Sequence, residues 1–117
     1  MYFGHVVPGK KNGRKIGFPT FNLVVSNLKI QYGVYVVNVL IDGSNGFGIM
    51  HYGPRLTVDN KTTVEINVLD YDSYKVVSEV GFNVLKKIRG VKKFNSLNDL
   101  KNQIIIDRDF AKNFIDA

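Results

Sequence analysis

Residues 62–69 read TTVEINVL. Thr62, Val64, Ile66 and Val68 fall on one face of an extended segment. Thr63, Glu65, Asn67 and Leu69 fall on the other. The β-branched content and strict alternation predict a strand with one apolar side. The second side carries a carboxylate in mid-strand, a group that is costly to bury without partners. Two readings of Glu65 stand at this point. It is a general base or hydroxyl-orienting group, or it is an exposed position paired with a lysine such as Lys75.

The same extended pattern recurs in both directions along the chain. Residues 33–41, GVYVVNVLI, are apolar on both faces and predict a central strand. Asp42 to Gly46 is a hairpin turn, with a return strand over 47–52. Gly53-Pro54 breaks that strand, and Asp59-Asn60 marks another turn. Residues 2–7 and 20–25 are short strands, joined by a loop rich in glycine, and 26–32 is an irregular connection containing Leu28 and Ile30. Residues 74–85 alternate again, with Tyr74, Val76, Val80, Phe82 and Val84 on the apolar side. About six short strands joined by turns predict an antiparallel barrel or sandwich. A polar strand face in such a barrel can line a binding mouth.

After Ser96 the period changes. Ser96 and Asp99 have the spacing of a capping box. Leu97, Leu100, Ile104, Ala111 and Phe114 then recur at helical spacing, predicting one helix of about five turns packed on the sheet. Asp107 interrupts that stripe, either bonding a loop backbone or marking an irregular helix.

A chain of 117 residues suggests one domain, with the barrel over about 1–90 and the helix over about 96–115. The absence of cysteine excludes a disulfide scaffold, a thiol nucleophile and a cysteine zinc site. His5 and His51 lack zinc-ligand spacing. No signal peptide or membrane-spanning run is expected, and the expected location is the cytoplasm. The net charge of +6 favours anionic partners. Lys10, Lys11, Arg14 and Lys15 form one basic cluster. Lys86, Lys87, Arg89, Lys92 and Lys93 form another, and both read as loop segments. Phe94, in the basic run IRGVKKF, either stacks on a ring or staples the start of the helix.

The stretch 13–23, GRKIGFPTFNL, combines glycines, two cations and a proline. Pro19 opens a rigid extended segment, so Thr20 and Asn22 share a face. A cationic loop followed by two oxygen donors suits a magnesium-chelated phosphate, since magnesium takes few protein oxygens. A glycine-rich hairpin with surface lysines is the simpler alternative. Neither a Walker A sequence nor a kinase-type glycine loop occurs.

Taken together these motifs resemble the riboflavin kinase (flavokinase) family, whose domain in bacteria usually forms the C-terminal half of a bifunctional FAD synthetase. The resemblance runs through Gly4, Val6 and Gly9, the GRKIGFPTFN block, and GVY at Gly33 to Tyr35. It continues through HYGPRLT at His51 to Thr57, VEINVLD at Val64 to Asp70, IRGVKKF, and Gln103-Ile104 with Asp107. It implies a mainly β fold, a six-stranded antiparallel Greek-key-like closed barrel with one C-terminal α-helix. It implies transfer of the ATP γ-phosphoryl group to the 5′-hydroxyl of riboflavin, giving FMN and ADP. Thr20 and Asn22 would hold Mg²⁺ with the ATP phosphates, Gly9 and Arg14 would belong to a flap over them, and Val68 and Asp70 would border the nucleotide. Glu65 would be the catalytic base. Arg89, Lys92 and Phe94 would face the flavin.

The sequence departs from the family pattern at Phe21, Leu56, Asn67 and Val91, and at Tyr74-Lys75. No adenylyltransferase region falls within these residues. A monomer without nucleic-acid or membrane partners is the expectation. The rival readings are a small basic barrel of the OB type that binds single-stranded nucleic acid, and a degenerate flavin-binding kinase without turnover.

Overall fold

A computed structural model describes residues 1–7, 20–70 and 76–116. Among these residues six strands precede one helix: β1 (Tyr2–Val7), β2 (Thr20–Val25), β3 (Gly33–Ile41), β4 (Ser44–Pro54), β5 (Thr62–Val68), β6 (Glu79–Arg89) and α1 (Leu97–Asp116). All pairings are antiparallel, and the strands close into a barrel in the order β1-β2-β5-β4-β3-β6. The expected closed barrel with a C-terminal helix is therefore present, and the sandwich alternative is excluded.

Consecutive strands β3, β4 and β5 form a meander. The β3–β4 turn is tight, with Ile41 opposite Ser44. Asp42 (φ 49°) and Gly43 (φ 80°) both take positive φ, which the two central residues of a type I′ hairpin turn require. The chain from β2 to β3 must cross an end of the barrel, because those strands are not neighbours. Leu28 and Ile30 on that connection pack against the interior and close it.

Alternation divides every strand between two cores. Leu23, Val37, Val39, Met50, Val64, Ile66, Val68, Val80 and Phe82 fill the barrel interior. Val34, Val36 and Ile49 point outward and pack with Leu69 and the helix residue Ala111. Burying a Val, Leu or Ile side chain is worth roughly 1.5–3 kcal/mol, so the interior row dominates stability.

Several expected boundaries shift. β4 runs past 47–52 in both directions, and Gly53-Pro54 lies within it. Gly53 has φ 138°, and a Cβ there would lie 2.9 Å from Val91 and 3.1 Å from Tyr32. Glycine thus lets the strand continue where a side chain would end it. β6 begins at Glu79, not at Tyr74. Val76 is 96% exposed and its neighbour Val77 is buried, so the expected phase was one residue out there. Tyr74 and Lys75 lie outside the described residues.

β6 also extends to Arg89, which places Lys86, Lys87 and Arg89 on a strand and not in a loop. Two register shifts against β3, between Val34 and Tyr35 and between Val36 and Val37, mark bulges in this segment. They bring Arg89 opposite Val34, on the outer face.

The helix begins as its sequence predicts, with Ser96 Oγ accepting from the Asp99 amide at 3.1 Å. Its buried face differs from the expected stripe. Leu97 and Phe114 are exposed, while Asp107 (2% exposed) and Ala111 are buried. Gln103, Ile104, Arg108 and Ile115 flank them in part. The helix follows a polar anchor at its centre, described below, and this rotates it away from the purely apolar register.

Candidate functional site

The outer wall beside α1 carries a polar band that crosses five strands. Asn22 of β2 pairs with Glu65 of β5, Glu65 with His51 of β4, His51 with Val34 of β3, and Val34 with Arg89 of β6. Directly opposed residues of an antiparallel pair share a face. Their inward-facing neighbours, such as Leu23, Met50 and Ile66, sit in the interior core. One step along, Thr20 faces Asn67, which faces Ile49. Thr20, Asn22, Glu65 and Asn67 therefore form a square of polar side chains on two adjacent strands. The separation of 43 positions between Asn22 and Glu65 is removed by the register alone.

Glu65 is mostly covered, its side chain 21% exposed. Among the described residues its charged partner is Arg55: Arg55 Nη1 donates to Oε1 at 3.0 Å, and Thr63 Oγ1 donates to the same oxygen at 3.3 Å; Lys75 lies outside those residues. Arg55 is itself gripped by Asp59, with Nε donating to Oδ1 at 3.1 Å and Nη2 donating to Oδ2. The loop between β4 and β5 is built to hold that guanidinium. The Arg55 carbonyl accepts from the amides of Val58, Asp59 and Asn60, and Asn60 closes the turn in the left-handed region (φ 59°). Asp59 Oδ1 also accepts from the Lys61 amide at 3.1 Å.

His51 lies between Glu65 and the outer apolar cluster. Its Nδ1 is buried and has no hydrogen-bond partner among the described residues. Burial, then the charges of Arg89 and Arg55, push its pKa down from 6.5 to about 4. The imidazole is therefore neutral near pH 7, an uncharged spacer between two guanidinium groups.

At the other end of the band, Arg89 is fixed by the helix. Its Nε lies 3.2 Å from both carboxylate oxygens of Asp107, and Nη2 donates to Oδ2 at 3.0 Å. Gln103 Nε2 donates to Asp107 Oδ1 at 3.0 Å. Asp107 thus bonds side chains, not the loop backbone that the sequence suggested, and the helix is regular through it. A buried carboxylate with a bidentate arginine partner is strongly oriented. Arg89 and Lys92 both approach the Phe94 ring, at 5.6 and 5.4 Å from its centroid. The Phe94 amide donates to Thr57 Oγ1 at 2.9 Å, tying this loop to the one that carries Arg55. Phe94 stands two residues before the cap Ser96, whereas a hydrophobic staple uses the residue immediately before it. Its setting is that of a ring beside two cations.

The remaining expected site residues fall as follows. Val68 lies on the interior face, 3% exposed, so only its backbone can border a ligand. Asp70 follows β5 with φ 54°, and its carboxylate, 84% exposed, lies 4.0 Å from Lys112 Nζ. Gly9 and Arg14, with the rest of the glycine-rich loop, lie outside the described residues. Helix residue Arg108 donates through Nη1 to Asn67 Oδ1, bringing a further cation to the wall beside Thr20. Arg55, His51 and Arg108 were not singled out from sequence as site residues. The signal for Arg55 was its place in HYGPRLT, four residues before Asp59.

No group of three or more His, Asp or Glu gathers as a metal site among the described residues. Thr20 and Asn22, a hydroxyl and an amide, share the outer face of β2, with Glu65 opposite Asn22. Two neutral hard oxygens fit a magnesium ion that keeps water and phosphate in most of its shell. They do not fit zinc.

Comparison with known proteins places the whole fold in a family. A family model described as flavokinase, riboflavin kinase, matches residues 1–115. The chain is 38% identical over 117 residues to a bifunctional riboflavin kinase/FMN adenylyltransferase of Escherichia coli, covering 95% of this chain and 36% of that protein. It is 32% identical over 114 residues to the Bacillus subtilis protein of the same description, covering 92% and 36%. A B. subtilis protein described as an RNA-binding riboflavin kinase is 35% identical over 103 residues, covering 86% and 45%. The chain thus spans 36–45% of the length of these relatives. Among solved structures, one described as a macrolide-efflux protein from Streptococcus pneumoniae superposes with a TM-score of 0.83 at 32% identity. It covers 96% of this chain and 38% of that one. No helix among the described residues is long and apolar enough to cross a membrane.

Proposed function

The chain belongs to the riboflavin kinase family, and on that footing we propose that it transfers the γ-phosphoryl group of ATP to the 5′-hydroxyl of riboflavin, producing FMN and ADP. The observation that carries this reading is the pairing of Asn22 with Glu65 on the outer wall. It sets a carboxylate beside the oxygen donors Thr20 and Asn22, which is what in-line transfer to a hydroxyl needs.

Glu65 is the catalytic base. It orients the acceptor hydroxyl and takes its proton as the bond to phosphorus forms. Thr20 and Asn22 would hold Mg²⁺ together with the ATP phosphates, and Mg²⁺ when bound neutralises charge on the transferring group. Gly9 and Arg14 would, as the family resemblance implies, belong to a flap over those phosphates. Val68, through its backbone, and Asp70 border the nucleotide. The ring system lies at the far end of the band, where Phe94 offers a face and Arg89 and Lys92 offer positive charge. Val34 and neutral His51 separate the two ends without adding charge.

The test is to mix protein, riboflavin and MgATP and to separate FMN from riboflavin. Formation of FMN that depends on both ATP and Mg²⁺ supports the reading. Flavin binding without FMN would instead identify a degenerate kinase. A nucleic-acid interface is the second reading. It is favoured by the RNA-binding relative and by the exposed Lys86, Lys87, Lys92 and Lys93. Oligonucleotide affinity falling steeply with salt would support it. Residues 1–117 are assigned to one riboflavin kinase-like domain, acting in the cytoplasm as a monomer.

A further inference from the structure

Resting on the assignment of Glu65 as base, we propose that Arg55 is a positioning residue for this reaction: it clamps one oxygen of the Glu65 carboxylate so that the other is the one presented to the acceptor hydroxyl.

The geometry is asymmetric. Both donors to Glu65, Arg55 Nη1 and Thr63 Oγ1, bond the same oxygen, Oε1. Oε2 makes no hydrogen bond among the described residues. A glutamate side chain has several rotatable bonds, and an unrestrained carboxylate would turn either oxygen to the substrate. Two donors on Oε1 fix both the rotamer and the rotation of the carboxylate plane.

The clamp is itself built rigidly. Asp59 takes Nε and Nη2 of Arg55, leaving Nη1 for Glu65. This is the fork geometry that a guanidinium provides and an ammonium does not. The backbone around it is closed by three amides on the Arg55 carbonyl. The loop is tied at a second point, Thr57 Oγ1 to the Phe94 amide. One short loop thus sets the base at one end of the band and supports the aromatic ring at the other. Phosphoryl transfer gains mostly from positioning, since its transition state leaves little covalent work to the protein. Displacement of a reacting group by about 1 Å can cost on the order of 10²-fold.

The experiment is steady-state kinetics on the chain with Arg55→Met and Arg55→Lys, each alone and combined with Glu65→Gln. In Arg55→Met, kcat is expected to fall between about tenfold and 10²-fold, with the KM for ATP little changed. Arg55→Lys, which restores charge without the fork, should recover part of kcat. In the Glu65→Gln background, Arg55→Met should cost nothing further. Wild-type kcat in Arg55→Met overturns the proposal while leaving the base assignment intact, provided Glu65→Gln lowers kcat. Equal losses in both backgrounds also overturn it, because Arg55 would then act elsewhere. Full activity in Glu65→Gln removes the base assignment and this proposal together. If Arg55→Met does not fold, Arg55→Lys decides: an intermediate kcat at unchanged KM supports the clamp, and wild-type kcat refutes it.

Discussion

His51 makes the stability of this fold depend on pH in a window where few other side chains titrate. Its pKa is pushed from 6.5 down to about 4, first by burial and then by Arg89 and Arg55. In that window the unfolded chain binds the proton more readily than the folded one, so stability rises with pH. The contribution of the neutral imidazole is fully present above pH 6.5 and is lost as pH falls toward 4. A shift of that size corresponds to roughly 3 kcal/mol overall, and the part lost between pH 7 and pH 5 is about 2 kcal/mol. The measurement is urea unfolding at both pH values, on the native chain and on His51→Gln. Carboxylates contribute nearly equally to both proteins, so the difference of differences isolates His51. The native chain should lose about 2 kcal/mol more than the variant on going to pH 5. Identical losses would refute the claim that His51 is held neutral by its surroundings.

Three further outcomes follow from the same wall. Glu65→Gln should lower kcat by roughly 10²–10⁴-fold while nucleotide affinity, measured by calorimetry, stays close to that of the native chain; unchanged turnover would remove Glu65 from the reaction. Thr20→Ala should weaken nucleotide binding in the presence of Mg²⁺ and leave metal-free binding unaffected, and an unaltered Mg²⁺ requirement would argue against a metal role. Asp107→Ala should destabilise the fold by about 3 kcal/mol, because Arg89 loses its buried partner, and should weaken riboflavin binding measured by fluorescence; a neutral result on both counts would show that the Arg89–Asp107 pair organises nothing.

Much of this arrangement is written locally and some of it is not. The inward and outward faces of β5 follow from alternation alone, so Glu65 and Asn67 were placed on a common polar face from sequence. The cap at Ser96 is local chemistry and appears where expected, and the turn falls at Asp42-Gly43, inside the expected Asp42 to Gly46, with Ser44 to Gly46 already in β4. The partner of Glu65 is not local. Arg55 reaches it across a loop whose shape depends on Asn60 taking a left-handed conformation and on three amides converging on one carbonyl. Asp107 looked like a flaw in an apolar stripe. It is the helix's anchor, because the residue it holds, Arg89, arrives from a strand that two bulges re-aim. Alternation in the sequence continues through Val76, whereas residues 76–78 precede β6, which starts at Glu79. Nothing local marks His51 as a site residue, since its character comes first from burial and then from Arg89, 38 positions away, and Arg55.

The division of each strand between an interior and an outer wall has a consequence for how this protein tolerates change. Along β5, Val64, Ile66 and Val68 fill the barrel, while Thr63, Glu65 and Asn67 face the wall. Successive positions therefore carry unrelated burdens. A saturation scan of this strand should give two interleaved records: even positions whose substitution lowers melting temperature, and odd positions whose substitution silences turnover in a protein that still melts normally. Selection can retune the chemistry one letter at a time without disturbing the scaffold. An insertion or deletion within the strand has no such freedom, because a slip by one residue would exchange the two records at a stroke.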